Sequence, residues 1–493
     1  MEKAFDLDKY LKLQSEKILD RVNTFDNKLY IEFGGKLFDD YHASRVLPGF
    51  APDSKLKTLL LLKDRVEIVI AISAIDIAER KLRRDLNITY DSEVLRLIDA
   101  FRASSLLVES VVITRYYKNE TVDNFIKKLK NLGIKTYKHY QIEAYPQDVN
   151  KVISEEGFGK NEYIKTTMPI VIVTAPGPGS GKMATCLSQL YHESLKGVKA
   201  GYAKYETFPV WNLPLNHPVN LAYEAATIDL NDVNMIDPYH FEKYHVAAVN
   251  YNRDVEVFPI LKAMFEKIYK KSPYSSPTDM GVNMVGFAIN NDKVAQNAAK
   301  REIIRRYCNA LIDLRNGKIS NEQVDKIKII MSKLNLTLEN RKVVKAALDA
   351  QKEKGVPCAA MELSDKTVII GKTSPLFNCA AGLIFNALKY VSHIDQDMDL
   401  IPRSVIEPIQ RLKVDKLGNH NPRLHVDEAL IALSISATNN PLAEKALKNL
   451  DKLRFAEVHT TIILPTEDEN ALKKLNINVT SEPEFIAHKL YQK

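Results

Sequence analysis

Cysteine is scarce in this chain: four in 493 residues, at 186, 308, 358 and 379, with no C-x-x-C pair. That spacing argues against a zinc knuckle or a disulfide scaffold and fits a reducing cytoplasm. Long apolar runs are lacking as well. No window approaches the roughly 18 apolar residues that a membrane span needs. The opening MEKAFDLDKYLKLQSEK is charged where a secretory leader is apolar. A cytoplasmic protein with no membrane partner is expected. Nor is there a charge excess that names a partner: the net charge is +7, with basic residues dispersed among acidic ones. No nucleic-acid groove is expected from that pattern.

What is present is ordinary globular composition, 45% hydrophobic and 27% charged. The length exceeds what one core usually organises, so about two to four domains are expected. The most informative stretch is MPIVIVTAPGPGSGKMATCLSQLYH, 168–192. A β-branched run over Pro169–Val173 leads into a Pro- and Gly-rich turn ending at Lys182, and Met183–Tyr191 carries apolar residues at helical spacing. Strand, glycine-rich turn and helix in that order aim backbone N–H groups at one point on a helix N-terminus, where an anion is favoured and a lysine adds full charge. The expected guest is a phosphate, held by Gly177, Gly179, Ser180, Gly181, Lys182 and Thr185. A P-loop reads G-x-x-x-x-G-K-[ST]; here Pro176 takes the first glycine position and Met183 the hydroxyl position that ligates magnesium. Ser180 and Thr185 are the nearby substitutes. The competing reading is an architectural turn with no ligand.

Around it, alternating segments predict a mostly parallel α/β sheet in three layers. The strands are Lys28–Phe33, Val66–Ile72, Ser110–Arg115, Ile134–Tyr137 and Pro169–Val173; helices are expected over 6–25, Leu56–Lys63, Ser92–Arg102 and Thr121–Leu132. The loop after the first strand holds Lys36, Asp39, Asp40, His42 and Arg45, a second candidate wall because open α/β sheets bind ligands at strand ends. The segment Lys204–His245 is dense in polar and aromatic groups. It holds the only tryptophan, Trp211, and prolines at 209, 214 and 218 that make its first part an irregular loop. It supplies the catalytic candidates: His217 or His240 as proton carriers, Asp229 or Asp232 assisting a magnesium ion that arrives with the phosphate. D-L-N-D-V-N-M-I-D lacks the glycine and glutamate of a calcium hand, so no dedicated metal site is assigned. Arg253 and the hydroxyls of 275–279 are further anion-orienting candidates, or plain turn and capping chemistry.

The domains expected are 1–290, α/β with the P-loop-like turn and the polar loop 204–245; 291–354, helical; and 355–493, a smaller α/β domain. In the last, Gly371-Lys372-Thr373-Ser374 between a strand and a helix forms a second candidate anion turn, and His425 with Asp427 a candidate proton-transfer pair.

EFGGKLFDDYHASRVLPGF, TAPGPGSGKMATCLSQLYHE, ETFPVWNLPLNHPVNLAYEAATIDLNDVNMIDPYH, GKTSP and LHVDEALIALSISATNNP together resemble a bacterial family, UPF0371 or domain of unknown function 1846, over essentially the whole chain. The resemblance implies a multi-domain α/β fold in a bacterial cytoplasm and assigns no reaction. Some members carry an ATP-dependent peptidase label. Here His192-Glu193 is followed by Ser194, Leu195 and Lys196, so H-E-x-x-H is absent, and Gly179-Ser180-Gly181 lacks nucleophile-elbow spacing. The function expected is a cytosolic enzyme binding a phosphorylated small molecule or nucleotide at 176–182, by phosphoryl transfer or ATP-driven ligation. The alternatives are a nucleotide- or metabolite-binding protein without turnover, and a structural homo-oligomer.

Overall fold

The computed structural model describes residues 2–35, 37–38, 40–83 and 88–485. They divide into two compact units, 2–299 and 300 onward. The first is built on a seven-stranded sheet: β1 (Leu29–Phe33), β2 (Val66–Ser73), β3 (Leu107–Thr114), β4 (Lys135–Lys138), β5 (Ile170–Thr174), β6 (Gly201–Tyr205) and β7 (Gly281–Val282). Every pairing is parallel, with spatial order β7-β6-β1-β5-β2-β3-β4. All residues of β2 and β5 are buried. This is why, apart from Glu67, Ser73 and Thr174, VEIVIAIS and IVIVT read as apolar runs rather than alternating ones: helices cover both faces.

The order reverses in the middle. From β1 the chain steps outward through β2, β3 and β4, returns at β5 between β1 and β2, and then leaves through β6 and β7 toward the other edge. Right-handed crossovers send the segments after β1 and after β5 to opposite faces. The crevice they leave at the strands' carboxyl ends is where open α/β sheets take ligands.

The second unit carries a four-stranded sheet, β8 (Cys358–Glu362), β9 (Val368–Lys372), β10 (Glu457–Thr460) and β11 (Asn478–Ser481), in the order β9-β8-β10-β11. Its sheet is mixed, with β8 antiparallel to both neighbours and β10 parallel to β11. Ala360 packs with Val343 and Ala347 of the Lys342–Lys354 helix, whereas Ala359 and Met361 join the core containing Leu383 and Ile384 of the Cys379–Val391 helix. Alternate residues of one strand thus face helices on opposite sides. Among the described residues no helix is long and apolar enough to cross a membrane.

The sequence pattern misses β6, β7, β8 and β11. GYAKY and CAAME carry no β-branched residue, and β7 is two residues long. They are strands because a neighbouring edge accepts them. Pro218 does not extend the irregular loop either: it opens the Pro218–Ala226 helix, at a position where its missing N–H costs nothing.

Candidate functional site

The glycine-rich turn leaves β5 at the reversal of strand order and enters the Lys182–Leu195 helix through Gly181, whose φ of +85° is left-handed. No side chain caps this helix, so its first-turn N–H groups keep the partial positive charge that would attract an anion. The turn is pinned from beneath. Thr114 Oγ1 donates to the Ser180 carbonyl at 2.8 Å, and Arg115 Nη2 donates to the Gly179 carbonyl at 3.1 Å and to Ser73 Oγ at 2.7 Å. Tyr90 presses on Gly177 so closely that a Cβ there would lie 2.2 Å from its hydroxyl.

The two hydroxyls expected to stand in for the magnesium ligand are used internally. Ser180 Oγ donates to the Gly177 carbonyl at 3.0 Å, and Thr185 Oγ1 donates to the Gly181 carbonyl at 2.9 Å, turned into its own helix. Lys182 is not in bulk solvent. Its side chain is 13% exposed and its Nζ lies 4.0 Å from Glu32 Oε1, near the end of β1.

Glu32 opens onto a charged cluster that pattern reading passed over. Its other oxygen accepts from Tyr202 Oη at 2.9 Å. Two residues along β6, Lys204 ion-pairs with Asp254, at the start of the Asn252–Tyr269 helix, and with Glu206 at 3.3 Å. Burial lowers the affinity of Lys204 for its proton, but Asp254, Glu206 and Glu32 together carry it above the ordinary lysine value. Burial pushes the Glu206 carboxyl up to about 7; Lys204 opposes that and Asp254 adds to it. A carboxyl that titrates near neutrality is suited to proton exchange. The available signal was charge inside a strand: Glu32 in LYIEF, and Lys204 and Glu206 flanking Tyr205.

The catalytic candidates do not gather in one place. His217 is a helix cap: its Nδ1 accepts from the Val219 N–H at 3.3 Å and its Nε2 donates to Asp292 Oδ1 at 2.9 Å. Burial holds its pKa below the ordinary histidine value, against the pull of Asp292. His240 meets Ser276 Oγ through Nδ1 at 3.0 Å and lies edge-on to Trp211. Asp229 is exposed. Asp232 is buried and receives Arg253 Nη2 at 3.2 Å. Burial raises its pKa, with Arg253 opposing and Asp254 adding, so of the four candidates Asp232 is within electrostatic reach of the Lys204 cluster. Asp237 caps the Pro238–Tyr244 helix and accepts from Thr278 Oγ1 at 2.6 Å, which engages part of the 275–279 hydroxyl set.

In the loop after β1, Lys36 and Asp39 lie outside the described residues. Asp40 caps the Tyr41–Val46 helix and pairs with Lys55 at 3.5 Å. His42 stands edge-on to Phe208 and Tyr223, which stack at 5.1 Å. The loop after β1 and the 204–245 segment therefore meet. The second glycine turn differs from the first: Asn378 Oδ1 accepts from the Ala381 N–H at 2.8 Å and occupies its helix N-terminus. His425 takes its carboxylate from Asp468, at 2.9 Å, while Asp427 accepts from the Glu428 N–H.

The N-terminal family described as "Domain of unknown function DUF1846, N-terminal" matches residues 3–335, and its C-terminal counterpart matches 339–491. A UPF0371 protein of Streptococcus pyogenes serotype M28 is 54% identical over 490 residues, covering 99% of each chain. The chain belongs to the UPF0371 family. A second member, from Streptococcus thermophilus, is 54% identical over 492 residues and covers all of both chains. Both bacterial relatives align with this family member across the glycine turn and the charged cluster alike, since the alignments span essentially the whole length.

Proposed function

We propose that the first unit is an enzyme acting on a phosphorylated small molecule, which seats its phosphate on the Gly177–Lys182 turn in the crevice between β1 and β5. One observation carries the reading: a 14-residue helix with no side-chain cap begins at the reversal of strand order, with a largely buried lysine as its first residue. Glu32 holds Lys182 until a phosphate competes for it. Glu206 is the proton-exchanging group, and Lys204 and Asp254 set its charge. Asp232 and Arg253 form the outer wall.

Phosphoryl transfer and ATP-driven ligation both fit a site that works by positioning and charge stabilisation. The internal bonding of Ser180 and Thr185 favours a phosphate held by backbone amides and lysine rather than through magnesium. It also supports the second reading, a metabolite-responsive binding protein without turnover. The test is a thermal-shift screen of nucleotides, phosphorylated metabolites and inorganic phosphate, with and without magnesium, on wild type and Lys182→Ala. A ligand at a hundred times its dissociation constant stabilises by about 2.7 kcal/mol. A shift lost in Lys182→Ala supports the site; no shift with any phosphate compound overturns it. Turnover of the hit, and its loss in Glu206→Gln, separates the enzyme from the binding protein.

A further inference from the structure

The second unit contains a cavity of about 210 Å3 whose wall carries four cations, Arg301, Arg341, Lys342 and Lys366, against two carboxylates, Glu362 and Glu457. Both carboxylates are already matched. Glu457 Oε2 accepts from Arg341 Nη2 at 2.6 Å and its Oε1 from Asn478 Nδ2 at 3.2 Å; Glu362 pairs with Lys366 at 3.2 Å. Among the described residues, neither Arg301 nor Lys342 has an ion-pair partner. The wall therefore holds an excess of two positive charges.

Arg341 makes this more than a basic surface. It is 3% exposed, and its guanidinium also donates to Thr480 Oγ1 and the Val458 carbonyl, yet its Nε–H has no acceptor. A guanidinium presents five N–H donors; here Nη1 and Nη2 are engaged within the fold and Nε is closed to solvent, so Arg341 is a fixed buried charge behind the wall, and Arg301 and Lys342 are the lining cations without ion-pair partners among the described residues. Arg341 is also the residue before the 13-residue Lys342–Lys354 helix, whose N-terminus has no side-chain cap. The helix dipole and the cationic wall thus meet at one place.

We propose that this cavity is a second anion site, taking a small phosphate monoester. Its volume lies below the roughly 300–1,000 Å3 of pockets for larger ligands, so the guest has a few carbons and is not a nucleotide. A dianion matches the two unpaired cations, and the planar guanidinium of Arg301 suits phosphate oxygens.

The test is calorimetric titration of the full chain in a Lys182→Ala background, which removes the first site, with glycerol 3-phosphate and succinate as probes. Expected is saturable binding of one glycerol 3-phosphate. Lys342→Glu weakens it roughly tenfold or more, and Glu362→Gln, which frees Lys366, tightens it. Absence of saturable binding overturns the proposal. So does an affinity that neither substitution moves. Succinate binding as tightly as the ester overturns the phosphate assignment. Arg341 is left unaltered because its bonds to β10 and β11 make a folding defect the expected result of its loss.

Discussion

Lys182 Nζ stands 4.0 Å from Glu32 Oε1, joining the first residue of the glycine-turn helix to the end of the neighbouring strand β1. The two side chains are 13% and 12% exposed, so the pair is weakly screened and any anion arriving at the turn competes with Glu32 for the lysine. Glu32→Gln should therefore tighten phosphate binding by roughly tenfold, about 1.4 kcal/mol, whereas Lys182→Ala should abolish it. Titration with the hit from the ligand screen reads both. Weaker binding in Glu32→Gln would mean that Glu32 orients the lysine instead of restraining it.

Magnesium should not be required for that binding. Met183 has no hydroxyl, and the Ser180 and Thr185 hydroxyls donate to backbone carbonyls of their own turn. The dissociation constant measured in EDTA should equal that in magnesium. A strong magnesium requirement would show that the turn rearranges when it binds.

The contribution of Glu206 to stability should fall as pH rises toward neutrality. The Glu206 carboxyl is raised by burial from 4.5 to about 7. Between those values the folded protein holds a proton that the unfolded chain has released. Stability from this group is thus full below pH 4.5 and is lost as pH rises through about 7. Urea denaturation of Glu206→Gln at pH 5 and pH 8 should show a flatter dependence than wild type. Parallel curves for the two proteins would remove Glu206 as the titrating group.

In the second unit Asp468 is fully buried. It accepts from the Val426 N–H at 2.7 Å, Asn378 Nδ2 at 2.6 Å and His425 Nδ1 at 2.9 Å. The hydrogen bond to Asp468 raises the His425 pKa; burial and Lys413 oppose, and Glu428 assists. The pair's contribution is complete below the ordinary histidine value of 6.5 and is lost as pH rises through the higher folded value. Asp468→Asn should cost about 1–3 kcal/mol and return the His425 titration, followed by NMR, toward 6.5. An unmoved titration would show that another group sets it.

The glycines of the turn should rank by what surrounds them. Gly177→Ala places a Cβ 2.2 Å from the Tyr90 hydroxyl and 2.6 Å from its ring, so the turn or the ring must move. The cost should be about 1–3 kcal/mol. Gly179 has φ of +75° with nothing within 4 Å, so alanine there pays backbone strain alone, about 1–2 kcal/mol. Denaturation midpoints of the two variants compare them, and equal phosphate affinity in Gly177→Ala and wild type would detach Tyr90 from the site.

Some of this was determined locally and could be read along the chain. IVIVT must be a strand buried on both faces, and the glycines after it must be a turn, because those properties follow from side-chain branching and backbone freedom over a few residues. The alternation that predicted a mostly parallel α/β sheet is of the same kind. Tertiary structure decided the rest. GYAKY is a strand only because β1 and β7 flank it. His217, prominent in the sequence, is occupied at both ring nitrogens, while Glu32 and Lys204, unremarked within strands, share a charged cluster with Asp254, far along the chain. Local pattern says which residue types are present and which element they join. A side chain's burial, its partner and its proton are set by residues that only folding brings within a few ångströms, and the electrostatic consequences exist only there.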